Sequence, residues 1–100
     1  FDRAIRLDPD DAWAYGSRGL AYAMKGDYDS AIADYSQAIR LDPDDAWAYY
    51  NRGGAYYYKG DYRRARMDWE QALRIDPNYA NARDGLELLR QMGYKTFNTK

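Results

Sequence analysis

Between residues 12 and 24 the large and small apolar positions return every three or four residues instead of alternating. Tyr15, Arg18, Gly19 and Tyr22 stand at i, i+3, i+4 and i+7, on one face of a helix, and Tyr49, Arg52, Gly53 and Tyr56 repeat the spacing. Punctuation falls where helix ends need it. Lys25-Gly26-Asp27 and Lys59-Gly60-Asp61 put a glycine where a helix turns left-handed and an aspartate able to cap the next one. Leu41-Asp42-Pro43-Asp44-Asp45 stops one helix at proline and offers aspartates to start another, and the same logic applies at Pro9 and Pro77. The pattern predicts helices over 1–7, 11–25, 28–40, 45–59, 62–74 and 79–92, with 93–100 as a frayed tail. No stretch suits a strand better than a helix.

These helices are copies of one unit. The twelve residues Ala4 to Tyr15 recur unchanged as Ala38 to Tyr49, and a looser copy runs from Ala72 to Arg83, each displaced by 34 positions. A fixed period in this range describes a stacked helix pair that buries its apolar face only against its neighbours. Gly19 and Gly53 each cost about 1 kcal/mol in an isolated helix, so close approach of the second helix is expected there. Ala31 and Ala65 supply small contacts on that facing helix, while Phe1, Tyr35 and Trp69 form one bulky column.

Read along those columns, the first copy is Tyr15-x2-Arg18-Gly19-x2-Tyr22, then Ala31-x3-Tyr35 and Pro43. The second is Tyr49-x2-Arg52-Gly53-x2-Tyr56, then Ala65-x3-Trp69 and Pro77. Together they resemble the tetratricopeptide repeat, W-x2-L-G-x2-Y with A-x3-F and a closing proline. The resemblance implies an all-α fold, a right-handed superhelical array of antiparallel helix pairs with a concave groove. On it, residues 1–9 end a partial repeat, 12–45 and 46–79 are complete repeats, 80–92 form a capping helix, and 93–100 are a flexible tail. Arg18 and Arg52 occupy the column where leucine is usual, with stems expected to pack and guanidinium groups to reach an acid or a tyrosine face. Arg83, Glu87 and Arg90 replace packing residues in the last helix, giving it a polar face suited to a cap. At the other end, the first helix of the opening pair is missing, so upstream repeats or another chain are expected to cover it.

The opposite face of each first helix points to function. Trp13, Ser17, Leu20 and Met24 cluster there in one repeat, and Trp47, Tyr50, Asn51, Tyr57 and Tyr58 in the next. A helix committed only to its partner would carry charge on that side; aromatics and an amide instead resemble a recognition surface. In tetratricopeptide domains these columns line the groove, so the resemblance nominates all nine as contacts for a peptide or partner helix. The competing reading is that the tryptophans pack between repeats. Domains of the family that clamp a C-terminal carboxylate use lysine, asparagine and arginine here, and only Asn51 matches.

Composition removes other functions. The chain has 100 residues, no cysteine and no histidine, which eliminates disulfides, the usual zinc ligands and the commonest nucleophile and base pairs. No enzyme, metal or cofactor is therefore expected, and the Asp-rich loops are assigned to capping. A net charge of −1 argues against nucleic acid, and the basic cluster Tyr62-Arg63-Arg64-Ala65-Arg66 has no counterpart in the other repeat. No apolar run approaches the ~18 residues of a membrane span. The chain is read as soluble, cytoplasmic by default, with its compartment left open. Charge is uneven, ten Asp against five Lys and Arg in residues 1–50 (net −5) and ten Lys and Arg against six acids in 51–100 (net +4). Head-to-tail self-assembly is thus one alternative to peptide binding, and an aromatic site for a small ligand such as a sugar is another.

Overall fold

The computed structural model describes residues 2–93; Phe1 and most of the expected tail, residues 94–100, lie outside the described residues. Six helices follow one another: α1 (Asp2–Leu7), α2 (Ala12–Met24), α3 (Tyr28–Leu41), α4 (Ala46–Lys59), α5 (Tyr62–Ile75) and α6 (Ala80–Gln91). The described residues contain no strand. Pairs α2/α3 and α4/α5 form antiparallel hairpins, α3 packs on α4 and α5 on α6, and α2, α4 and α6 touch along one side. The result is a helical solenoid of 48 × 26 × 17 Å.

Capping explains the element ends. Asp11, Asp27, Asp45 and Asp61 each accept a bond from the backbone N–H three residues on, satisfying a helix start. They are caps outside the helices, so α2 and α4 begin one residue later than the pattern predicts. Gly26 and Gly60 take φ of 82° and 90°, the left-handed turn expected of them. Asp8, Asp42 and Asp76 close the inter-repeat loops by accepting the N–H two residues on, at 3.0–3.3 Å. The expectation at Pro77 needs correction. Tyr79 stands where Asp11 and Asp45 stand in the earlier copies, and α6 starts without a side-chain cap. The Tyr79 ring instead packs on Tyr50 at 5.5 Å.

Close approach in the hairpins is real. A Cβ on Gly19 would lie 3.0 Å from the Tyr35 ring and 3.3 Å from the Ala31 carbonyl; on Gly53 it would lie 2.7 Å from Trp69 and 3.2 Å from the Ala65 carbonyl. Ala31 and Ala65 are fully buried. The arginine column reaches both kinds of partner expected. Arg18 donates a two-pronged fork to buried Asp34 at 2.7 and 2.8 Å and to Asp2 at 2.9 Å. Arg52 does the same to Asp68, at 2.8 Å twice, and to Ser36 Oγ at 3.1 Å. Each guanidinium also lies over two tyrosine rings, Tyr15 and Tyr22 or Tyr49 and Tyr56, at 5.5–6.0 Å. In α6 the same column holds Leu86, which packs on the core formed by Trp69, Ala72 and Leu89. Glu87 and Arg90 pair on the exposed face of that helix.

Candidate binding groove

Three successive tyrosines on α4 show how one helix serves three neighbours, because each residue turns the side chain by about 100°. Tyr56 faces the hairpin, under Arg52 and Arg64 at 6.0 and 5.9 Å. Tyr57 packs on α5 of its own repeat, with ring centroids 5.4 Å from Tyr62 and 5.9 Å from Trp69, and its hydroxyl reaches Met92 Sδ, just past the end of α6, at 3.8 Å. Tyr58 turns back to the preceding repeat and stacks on Tyr28 at 5.7 Å, with planes only 16° apart.

On the side formed by α2, α4 and α6 these rings border two clefts. The first, of about 220 Å³, lies between α2 and α4, with Leu20, Met24, Tyr28, Asn51 and Tyr58 in its walls and Tyr35 behind them. The second, of about 250 Å³, lies between α4 and α6, with Tyr57 and Tyr58 on one side, Asn81, Asp84 and Leu88 on the other, and Trp69 behind. Tyr50, Gly54 and Tyr58 belong to both, so the clefts form one groove across the face of α4.

The groove brings together most of the nominated residues. Leu20, Met24 and Asn51 line the first cleft, Tyr57 the second, and Tyr50 and Tyr58 both. Asn51 Nδ2 donates to the Trp47 carbonyl at 2.8 Å, which uses one of its two amide hydrogens and holds the side chain along α4. Tyr57 is half-buried in its aromatic cluster, whereas Tyr58 is 69% exposed. The tryptophans divide. Trp47 packs edge-on against Tyr35 at 6.2 Å and covers Gly16, whose Cβ would fall 2.8 Å from its ring. Trp13, on α2, is 70% exposed. Ser17 is half-buried and lines neither cleft.

Gly54, Asn81, Asp84 and Leu88 were not among the nominated contacts. The signal was present: Asn81, Asp84 and Leu88 stand 34 positions after Trp47, Tyr50 and Gly54. Reading the last helix only as a cap stopped the columns one repeat short.

Buried groups beside the groove are electrostatically tuned. Burial, reinforced by the Asp34 charge, pushes the Tyr35 hydroxyl up to about 12. Burial also raises the Asp68 carboxyl above the usual range, against the opposing pull of the Arg52 fork, and the same fork holds Arg52 firmly protonated. The Asp-rich loops are spent on turns and caps. In the basic cluster, Arg64 pairs with Asp61 at 2.8 Å and Arg66 approaches Glu70 at 4.0 Å, so part of its charge is neutralised.

Comparison with known families assigns nearly all of this architecture. A TPR repeat model matches residues 19–60, and tetratricopeptide repeat models match 1–33 and 46–79. A solved structure of the second TPR domain of human RPAP3, in complex with an HSP70 peptide, is 30% identical with a TM-score of 0.85, over 89% of this chain and 74% of that one. This chain belongs to the tetratricopeptide repeat family. The Arabidopsis OM64 TPR domain is similar at 28% identity and a TM-score of 0.86, with 89% of this chain and 74% of that one covered. MamA is 30% identical with a TM-score of 0.84; the match covers 89% of this chain but only 53% of MamA, about half its length. No curated protein sequence matches. Tetratricopeptide arrays serve as protein interaction modules, and that coarse role extends to this member.

Proposed function

We propose that this tetratricopeptide array is a noncatalytic scaffold that binds a peptide or partner helix in the groove across α4. The observation that carries the reading is the merging of the two clefts over Gly54, where the neighbouring copies have Leu20 and Leu88. A leucine column would fill the centre of the groove; glycine leaves it open between aromatic walls. Nothing lies within 4 Å of where a Gly54 Cβ would be, so the opening is not required by packing. A strip of this shape suits a linear segment with alternating anchors. Each cleft is smaller than the roughly 300–1,000 Å³ of pockets that enclose a whole small ligand, which favours side chains of a longer chain over a free sugar.

The relatives support a peptide but not the same peptide. The first TPR of Spaghetti (RPAP3) is solved with the HSP90 peptide SRMEEVD, which is acidic. The described residues that line this groove include no lysine or arginine, and one carboxylate, so an acidic terminus would find no counter-charge. The test is substitution at one open and one largely exposed position of the groove. Gly54→Leu and Tyr58→Ala should each weaken capture of a selected peptide at least tenfold while leaving the helical circular dichroism unchanged. Undiminished binding in both variants would remove the groove from consideration. Light scattering across concentration addresses self-assembly, which predicts growth in mass independent of any peptide.

A further inference from the structure

The second cleft carries a charge that the first lacks. Aromatic rings from two helices, Tyr50, Tyr57 and Tyr58 on α4 and Trp69 on α5, border it, and Asp84 on α6 supplies a carboxylate. Asp84 is the sole charged residue among those lining either cleft, and among the described residues it makes no ion pair or hydrogen bond. The rings are fixed before any ligand arrives. Tyr57 and Tyr58 meet edge to face at 5.3 Å and 82°, so they present differently oriented faces. Trp69 is held by its Nε1–H, which donates to the Tyr50 carbonyl at 3.0 Å, and by Gly85, whose absent Cβ would lie 2.8 Å from the ring.

Aromatic rings grouped beside a single carboxylate favour a cation, because a cation that meets a ring face is attracted by the quadrupole in the same direction as by the full charge. The volume of about 250 Å³ matches one long side chain more closely than a folded ligand. We infer that this cleft is a cation-selective pocket that takes the guanidinium or ammonium head of a basic residue in the bound segment, with Asp84 as its counter-ion. The inference rests on the groove reading above and adds the chemistry of the ligand: a neutral or basic peptide with an arginine or lysine that docks between α4 and α6, and apolar residues that run towards Leu20 and Met24.

A random dodecapeptide display library of known composition is the probe. Selection on the intact chain should enrich arginine or lysine at one fixed position. A synthetic copy of the enriched peptide should bind about tenfold more tightly than its Gln-substituted form. Asp84→Asn should abolish that difference, and Asp84→Lys should weaken the basic peptide further; Asp84 is exposed, and its side chain holds no bond among the described residues that either change would break. Titration should also shift the Trp69 indole N–H signal. If enriched peptides depend on Tyr58 and Gly54 but show no basic preference, the cation pocket is wrong and the groove reading survives. If nothing is enriched, or binding ignores all three positions, both readings fall. Sedimentation that reveals a dimer disrupted by Asp84→Asn would make the occupant a second copy, which also overturns the inference.

Discussion

Gly53 and Gly54 are neighbours on one helix with opposite reasons to exist. Gly53 faces the hairpin, where a methyl group would meet the Trp69 ring at 2.7 Å and the Ala65 carbonyl at 3.2 Å. The ring cannot move away easily while its N–H is bonded to Tyr50. Gly53→Ala should therefore destabilise the array by about 1–3 kcal/mol, overriding the gain in helix propensity. Gly54→Ala meets open space and should stabilise it by about 0.5–1 kcal/mol. Chemical denaturation of the pair checks both signs. The role of Gly53 was legible in the sequence, since the i, i+3, i+4, i+7 spacing put it on the packed face. That Gly54 opens a groove was not, because its environment is set by Leu20, Leu88 and rings on two other helices. Tyr56, Tyr57 and Tyr58 make the same point: their spacing gives three directions, but only the neighbours decide which ring packs and which stays open.

At the scale of elements, each arginine fork ties together three helices. Arg52 on α4 reaches Asp68 on α5 and Ser36 on α3, so one side chain joins a hairpin to the repeat before it. Asp68 is 7% exposed in its side chain and Arg52 21%, so losing one partner strands a largely buried charge. Arg52→Leu alone should cost about 2–4 kcal/mol, whereas Arg52→Leu with Asp68→Leu should recover most of the loss, as apolar replacement of buried pairs commonly does. A double-mutant cycle by urea denaturation measures the difference. The helices, their turns and the partner type for these arginines could all be read from the pattern. The start of α6 could not: Asn78 and Tyr79 follow Pro77 where aspartates follow Pro9 and Pro43, and the Tyr50 ring took the place of a cap. Loss of a side-chain cap was offset by a contact from another helix, which local spacing does not encode.

For the whole molecule, stability depends on keeping Tyr35 neutral, the one fully buried tyrosine among the described residues. Tyr35 is 1% exposed, and its hydroxyl is displaced from the ordinary 10 up to about 12. A raised folded value means that the neutral form is favoured in the fold. Its contribution is complete below about pH 10 and is lost as pH rises through about 12. The size is on the order of 2 kcal/mol, and Tyr35→Phe, which keeps the ring and removes the proton, should retain more helicity in a titration from pH 9 to 12. The solenoid as a whole followed from period and columns. The proposed binding face was legible as far as α4 and ended there, because the polar exterior of α6 concealed groove positions on its other side.

The glycines under the large rings also set the terms on which the array could be lengthened. Trp47 lies over Gly16, and Trp69 lies against Gly85; the corresponding pairs are Asn81 beside Tyr50 and Asn51 beside Tyr35, so a large group on one helix always meets a small or medium one on the next. A tandem copy of residues 46–79 would set its tryptophan on Tyr50 and its asparagine on Trp69, two collisions at once. A tandem copy of 12–45 would set tryptophan on Gly16 and serine on Tyr35, and both fit. Of two repeats that look interchangeable, the first is the better block from which to build a longer protein.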